Sequence, residues 1–257
     1  MRYTVILITL FCCSLSLYPQ KNFEEELVSY LSDVANFSFD ELSKKDFGGS
    51  SNENLPKKYI NEEVTRDLDF GVKESIYQVR LPYIENDEFT LFIAKFHLLL
   101  QDSTNIGIIV DPIYEEEKYA FFDEGKITEY MLKHDSLYQT RTTKDDLIKD
   151  LIAYEPYGYM CGMAPVMNMG TQKDGLSFDD FKNIATFREW LRSYNPEIQT
   201  YGLDAIHHVY KKPNFLIGEE EKRIAEHDKT LTKHIAKRNS TLYICEGCVI
   251  GIYRKVF

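Results

Sequence analysis

SFDDFKNIATFREWLRSYNPEIQTYGLDAIHHVYKK, residues 177–212, is the stretch on which the reading of this chain turns. Ser177 with Asp180 three residues on has the form of a capping box, and Asp179 adds negative charge to the same first turn. Phe181, Ile184, Phe187, Leu191 and Tyr194 recur near the helical period, with Trp190 beside them. Asn195 then caps a second helix with Pro196 at its first position and Glu197 in its first turn. Ile198, Gly202, Ala205 and Val209 share one face, and Lys211 and Lys212 meet the negative end before Pro213. The pattern predicts two helices in tandem. It says nothing about chemistry.

Upstream of the pair, Thr143 and Asp146 predict another capped helix with Leu147, Ile148, Leu151 and Ile152 as its buried stripe. Downstream, Glu219 to Arg238 is acidic at its start and basic at its end, with a thin stripe of Ile224, Leu231 and Ile235, which predicts a surface helix. TLYICEGCVIGIYRKVF closes the chain as a β-hairpin, with Glu246-Gly247 placed to turn it. Towards the N-terminus, Phe23, Leu27, Tyr30, Leu31 and Val34 predict an amphipathic helix, and Ser38 with Glu41 a second, shorter one. Asp46 to Lys58, rich in Gly, Ser and Asn, reads as a linker. Between 59 and 140 the pattern is mixed: IYQVRLPYI alternates like a strand, whereas FTLFIAKFHLLL is apolar on every side and leans to helix. NIGIIVDPIY and KYAFFDEGKITEYM read as strands with turns at Asp111-Pro112 and around Gly125.

The expectation is an α+β chain that is mainly α. Residues 1–20 form a signal peptide, 21–58 a helical segment and linker, 59–140 a small mixed α/β segment, and 141–257 a helical half closed by the hairpin. The signal reading rests on Arg2, the apolar run Val5 to Cys13, and Ser14 and Ser16 before a polar chain. It predicts an exported protein (periplasmic, envelope-associated or secreted) that meets membrane only through that segment if it is uncleaved. The formal charge of −11, from 30 basic and 41 acidic residues, argues against nucleic acid as a partner.

Asn195 to Tyr210, through Asn195, Pro196, Glu197, Gly202, Ala205 and Ile206, resembles the second helix of a HEAT-like helical repeat. The resemblance covers 195–210 only and implies stacked helix pairs and a binding role, with no catalytic residue.

Strong catalytic motifs are missing: no G-x-S-x-G, H-E-x-x-H, P-loop or dinucleotide fingerprint occurs. Asp69-Phe70-Gly71 matches the metal-binding tripeptide of protein kinases, yet none of the accompanying kinase motifs is present. Cys245 and Cys248 form a C-x-x-C pair, which in an exported protein reads first as a disulfide across the hairpin. A metal site, a redox pair and free thiols are the alternatives. Cys161, in a loop rich in Gly and Met, is either a small buried side chain, a partner for one terminal cysteine, or a nucleophile with His207 or His208 as base. Adjacent histidines on a helix point about 100° apart, so only one of those two can face a given cleft. No cofactor or metal is implied. The reading is therefore a non-catalytic binding or structural module for an unknown protein or small ligand. Its rival is an envelope enzyme built on Cys161.

Overall fold

The computed structural model describes residues 23–47, 56–85, 88–161, 172–212, 218–238, 240–247 and 249–255. The signal-like segment and most of the linker-like stretch lie outside them.

Residues 59–122 form one five-stranded antiparallel sheet, where the sequence reading expected a small mixed segment in a mainly helical chain. Its strands are β1 (Tyr59–Asp67), β2 (Val72–Glu85), β3 (Glu88–Gln101), β4 (Thr104–Pro112) and β5 (Tyr119–Phe122), in that spatial order. FTLFIAKFHLLL is therefore a strand and not a helix. Its centre is buried on both faces, so the alternation that marks a half-solvated strand is absent there. The register pairs β2 with β3 without interruption from Val72↔Gln101 to Glu85↔Glu88. A bulge between Glu62 and Val64 interrupts the outer strand β1. At the β1–β2 corner Phe70 and Gly71 both take left-handed backbone angles, φ 59° and 77°.

The helices α1 (Phe23–Leu31) and α2 (Phe39–Lys44) cover one face of this sheet. Phe23 stacks on Tyr83 with ring centroids 4.0 Å apart, and Leu27, Leu31 and Leu42 are buried against Val79, Leu81, Phe96 and Ile108. On the other face α3 (Glu124–Tyr138) and α4 (Lys144–Ile152) bury Ile127, Tyr130, Leu147 and Leu151 against Val72, Leu99, Ile106 and Ile109. The α3 segment overturns the expected turn at Gly125. Asp123 caps it by accepting from the Lys126 amide. The Thr143–Asp146 capping box at α4 forms as the sequence predicts.

The chain then runs through β6 (Tyr157–Cys161), the two-residue strands β7 (Gln172–Lys173) and β8 (Leu176–Ser177), α5 (Ile184–Leu191), α6 (Pro196–Tyr210) and α7 (Glu219–Arg238). It ends in the hairpin β9 (Thr241–Gly247) and β10 (Val249–Lys255), with β6 added parallel to β9. Ser177 lies in β8, and Asp180 caps only a 3-10 turn at Phe181–Asn183, so α5 starts later than predicted. Asn195 caps α6 by accepting from the Glu197 and Ile198 amides, as its sequence requires.

The HEAT-like resemblance does not hold. A helical repeat needs successive helix pairs stacked on like pairs. Among the described residues α5 and α6 make one such pair, which packs on the single helix α7 and the β6–β9–β10 sheet around Phe187, Leu191, Tyr201, Leu231 and Leu242.

Candidate ligand-binding cleft

The helices α3 and α4 pack on Val72, Leu99, Ile106 and Ile109 of their face of the large sheet. The part of that face carrying Ile76, Gln78, Lys95 and His97 is the floor of a cleft of about 670 Å³. Strand alternation decides which side chains meet there: Val64, Ile76 and His97 lie in one cross-strand row, and Gln78, Lys95 and Asp111 in the next. The end of α4 and the residues after it, Leu151 to Glu155, form a wall, and Glu197 enters from the first turn of α6.

In the next cross-strand row of the same face, beyond Val64 and Ile76, lies a buried ionic cluster. Arg66, 5 % exposed, donates from Nε to Glu74 at 2.7 Å and from its terminal nitrogen to Glu197. Burial works against the Arg66 charge, and the Glu197 and Glu74 carboxylates outweigh it, holding the guanidinium well above its ordinary range. Burial would likewise raise Glu74, which has no exposed surface. Arg66 and His97 overcome this and keep its carboxyl below the usual range. The Glu74 Oε1 lies 2.6 Å from the His97 Nδ1. An ionised carboxylate has no proton to give, so the His97 Nδ1–H is the donor of this bond. His97 is 3 % exposed, and its Nε2 is buried without a hydrogen-bond partner. At the mouth, Lys95 lies 3.4 Å from Glu63 and 4.9 Å from the centre of the Tyr154 ring, which is 61 % exposed.

A second buried centre joins the sheet corner to the C-terminal helices. Asp69 accepts from the Tyr138 hydroxyl at 2.8 Å and from Arg238 at 2.9 Å, and its Oδ1 stands 2.8 Å from the His234 Nε2. Arg238 and Gln199 extend the network, and Ser240 donates to the Asp67 carbonyl at 2.6 Å. Burial alone would raise Asp69, but the bonds from His234, Arg238 and Tyr138 prevail and hold it far below the usual carboxylate range. The tripeptide Asp69-Phe70-Gly71 is thus a structural corner. Its carboxylate is filled by side chains of the same chain.

The sequence candidates lie elsewhere. His207 is exposed beside Tyr210, Lys211 and Lys229. His208 is half-buried with its ring 6.0 Å from that of Phe178. Neither lines the cleft. The Cys161 backbone ends β6 opposite Gly247, and its side chain lies outside the described residues. In the hairpin, Glu246 pairs with Val249 and Cys245 with Ile250; Cys248 and the Cys245 side chain lie outside the described residues. Among the described residues no group of three His, Cys, Asp or Glu side chains is placed to hold a metal ion. Nor is any helix among them long and apolar enough to cross a membrane.

Sequence reading passed over Arg66, Glu74 and His97, and took Glu197 only as a charge in the first turn of α6. The available signal was polar residues inside otherwise apolar strands, such as Lys95 and His97 within FTLFIAKFHLLL. A strand so apolar is buried, and its polar groups then need partners. The fold and cleft define an α+β protein with a ligand-sized depression on one sheet face. No family, curated protein or solved structure was found to match the chain.

Proposed function

We propose that this chain is an exported, non-catalytic binding module whose ligand, a small molecule or a segment of a partner protein, seats in the cleft over β2 and β3. The observation that carries the reading is the part of the sheet face left open beside α3 and α4. Isolated sheet faces are normally covered or uniformly polar, and this one mixes Ile76, Gln78, Lys95 and His97 in a concavity of ligand size. The buried Arg66–Glu74–Glu197 cluster at its side supports it, because it holds the floor rigid before a ligand arrives. Export is supported by Arg2 and the apolar run that follows it.

The test is a ligand screen by thermal shift on the full chain and on the variant Gln78→Trp. Gln78 is half-exposed on the floor, so the indole fills the cleft without entering the core. Hits should raise the melting temperature of the parent, leave the variant unmoved, and be recovered chemically unchanged. Ligands that stabilise both proteins equally, or that are turned over, would remove the proposal.

A further inference from the structure

We infer that a second site, between the end of α3, the end of α5 and the first half of α7, binds a tetrahedral oxyanion: inorganic phosphate or the phosphoryl group of a small phosphomonoester. It shares no lining residue with the cleft over the sheet and stands apart from the reading given above.

The pocket, of about 370 Å³, is lined by Gln139 at the C-cap of α3, by Arg188 and Arg192, and by Arg223, Ile224 and His227. Helical spacing explains the gathering. Arg188 and Arg192 stand one turn apart at the end of α5, as do Arg223 and His227 on α7, so each helix presents a pair on one side. Three guanidiniums therefore share a pocket whose lining includes no carboxylate, on a chain of formal charge −11. Like charges held together repel, and a bound anion relieves that repulsion.

The partners of the three arginines leave charge to spare. Arg188 donates from Nε to Asp228 at 2.8 Å and from a terminal nitrogen to Tyr210 at 3.1 Å. Asp228 is wholly buried and does not line the pocket. Arg223 comes only within 3.7 Å of Glu220, both side chains are mostly exposed, and a surface pair of that kind contributes little. Arg192 enters no ion pair and no side-chain hydrogen bond among the described residues. Of its three nitrogens only Nε is shut from solvent, so the terminal pair stands open. One guanidinium is thus uncompensated and another loosely held. A guanidinium stays charged throughout the range in which proteins fold, so no titration is needed to arm the site.

Geometry selects the kind of anion. A carboxylate offers two oxygens in one plane, which a single guanidinium fork satisfies. A phosphoryl group offers three acceptor oxygens and nearly two negative charges, which suits donors arriving from separate helices. Ile224 adds an apolar side against which the carrier of a monoester can rest.

The experiment labels the full chain with 15N at arginine and follows the side-chain Nε–H resonances near neutral pH. Phosphate, phenyl phosphate, acetate and sodium chloride are titrated at matched ionic strength. The Arg192 resonance should shift saturably with phosphate, phenyl phosphate or both, and not with acetate or chloride. Tighter binding of phenyl phosphate assigns the site to a monoester, tighter binding of phosphate to the free ion. Arg192→Gln removes a charge that holds no other side chain, and circular dichroism checks its fold. Followed at Arg188 and Arg223, it should bind the phosphoryl probe about tenfold more weakly, because hydrogen bonds to charged groups are the strong class. If that variant fails to fold, Arg223→Gln, on an exposed side chain, makes the same test. Shifts that only track ionic strength, acetate binding as tightly as phosphate, or parental affinity in the folded variant would each overturn the inference.

Discussion

His134 shows how one side chain couples this fold to pH. It is fully buried on α3, its ring stacked 3.8 Å from that of Tyr194 and 4.4 Å from that of Tyr138. Burial pushes its pKa down to about 4, against the pull of Asp69 and Asp135 and with Arg238 opposing the charge as well. The unfolded chain protonates the same ring near pH 6.5, so at neutral pH both states are uncharged and nothing is lost. As pH falls from about 6.5 to 4, only the unfolded state gains the proton, and stability drops by on the order of 3 kcal/mol. His134→Phe should keep the stack and flatten that part of the profile, measured by urea unfolding at pH 7, 5.5 and 4.5. An unchanged slope would show that the ring does not carry it. Asp69 acts in a different window. Its folded pKa is depressed, so its contribution is complete above the ordinary carboxylate range and is lost only as pH falls below about 4.

At the scale of elements, the crossing of α5 and α6 depends on an absent side chain. A Cβ on Gly202 would lie 2.3 Å from the Leu191 backbone nitrogen, which cannot move without disrupting the end of α5. Gly202→Ala should destabilise by about 1–3 kcal/mol, although alanine is the better helix former. A melting temperature equal to or above that of the parent would refute the close crossing. These helices were legible in the sequence because Asn195, Pro196 and the Thr143–Asp146 pair act locally, within one turn of the backbone they satisfy. The sheet was not. β3 is apolar on both sides at its centre, so the period-two alternation that announces a strand is missing from its sequence. The cleft was less legible still. Arg66 and Glu197 are 131 residues apart, and no short motif announces a pair made only by folding.

Across the whole molecule, such distant pairs tie the halves together. Arg66 to Glu197 and Asp69 to Arg238 span 131 and 169 residues, and the Ser240 hydroxyl holds the Asp67 carbonyl from 173 away. Breaking one buried partner costs about 3–5 kcal/mol, so neither half should loosen without the other. Trp190 is the single tryptophan and packs in the C-terminal core, whereas far-UV circular dichroism also reads the sheet. Urea transitions followed by the two signals should coincide in one step, slow to refold because the contacts are non-local. Two separated midpoints would contradict this. One feature of the sheet bears on assembly as well. Among the described residues β1 is an outer strand whose rim along Tyr59 to Glu63 pairs with no further strand, and such rims recruit strands from neighbouring copies. Here the bulge after Glu62 breaks the ladder spacing that a second copy would need. The Glu62-Glu63 pair would face like charges from its twin, and the far rim, β5, is only four residues long. Polymerisation through the sheet is thereby discouraged by the same acidic strand that borders the cleft.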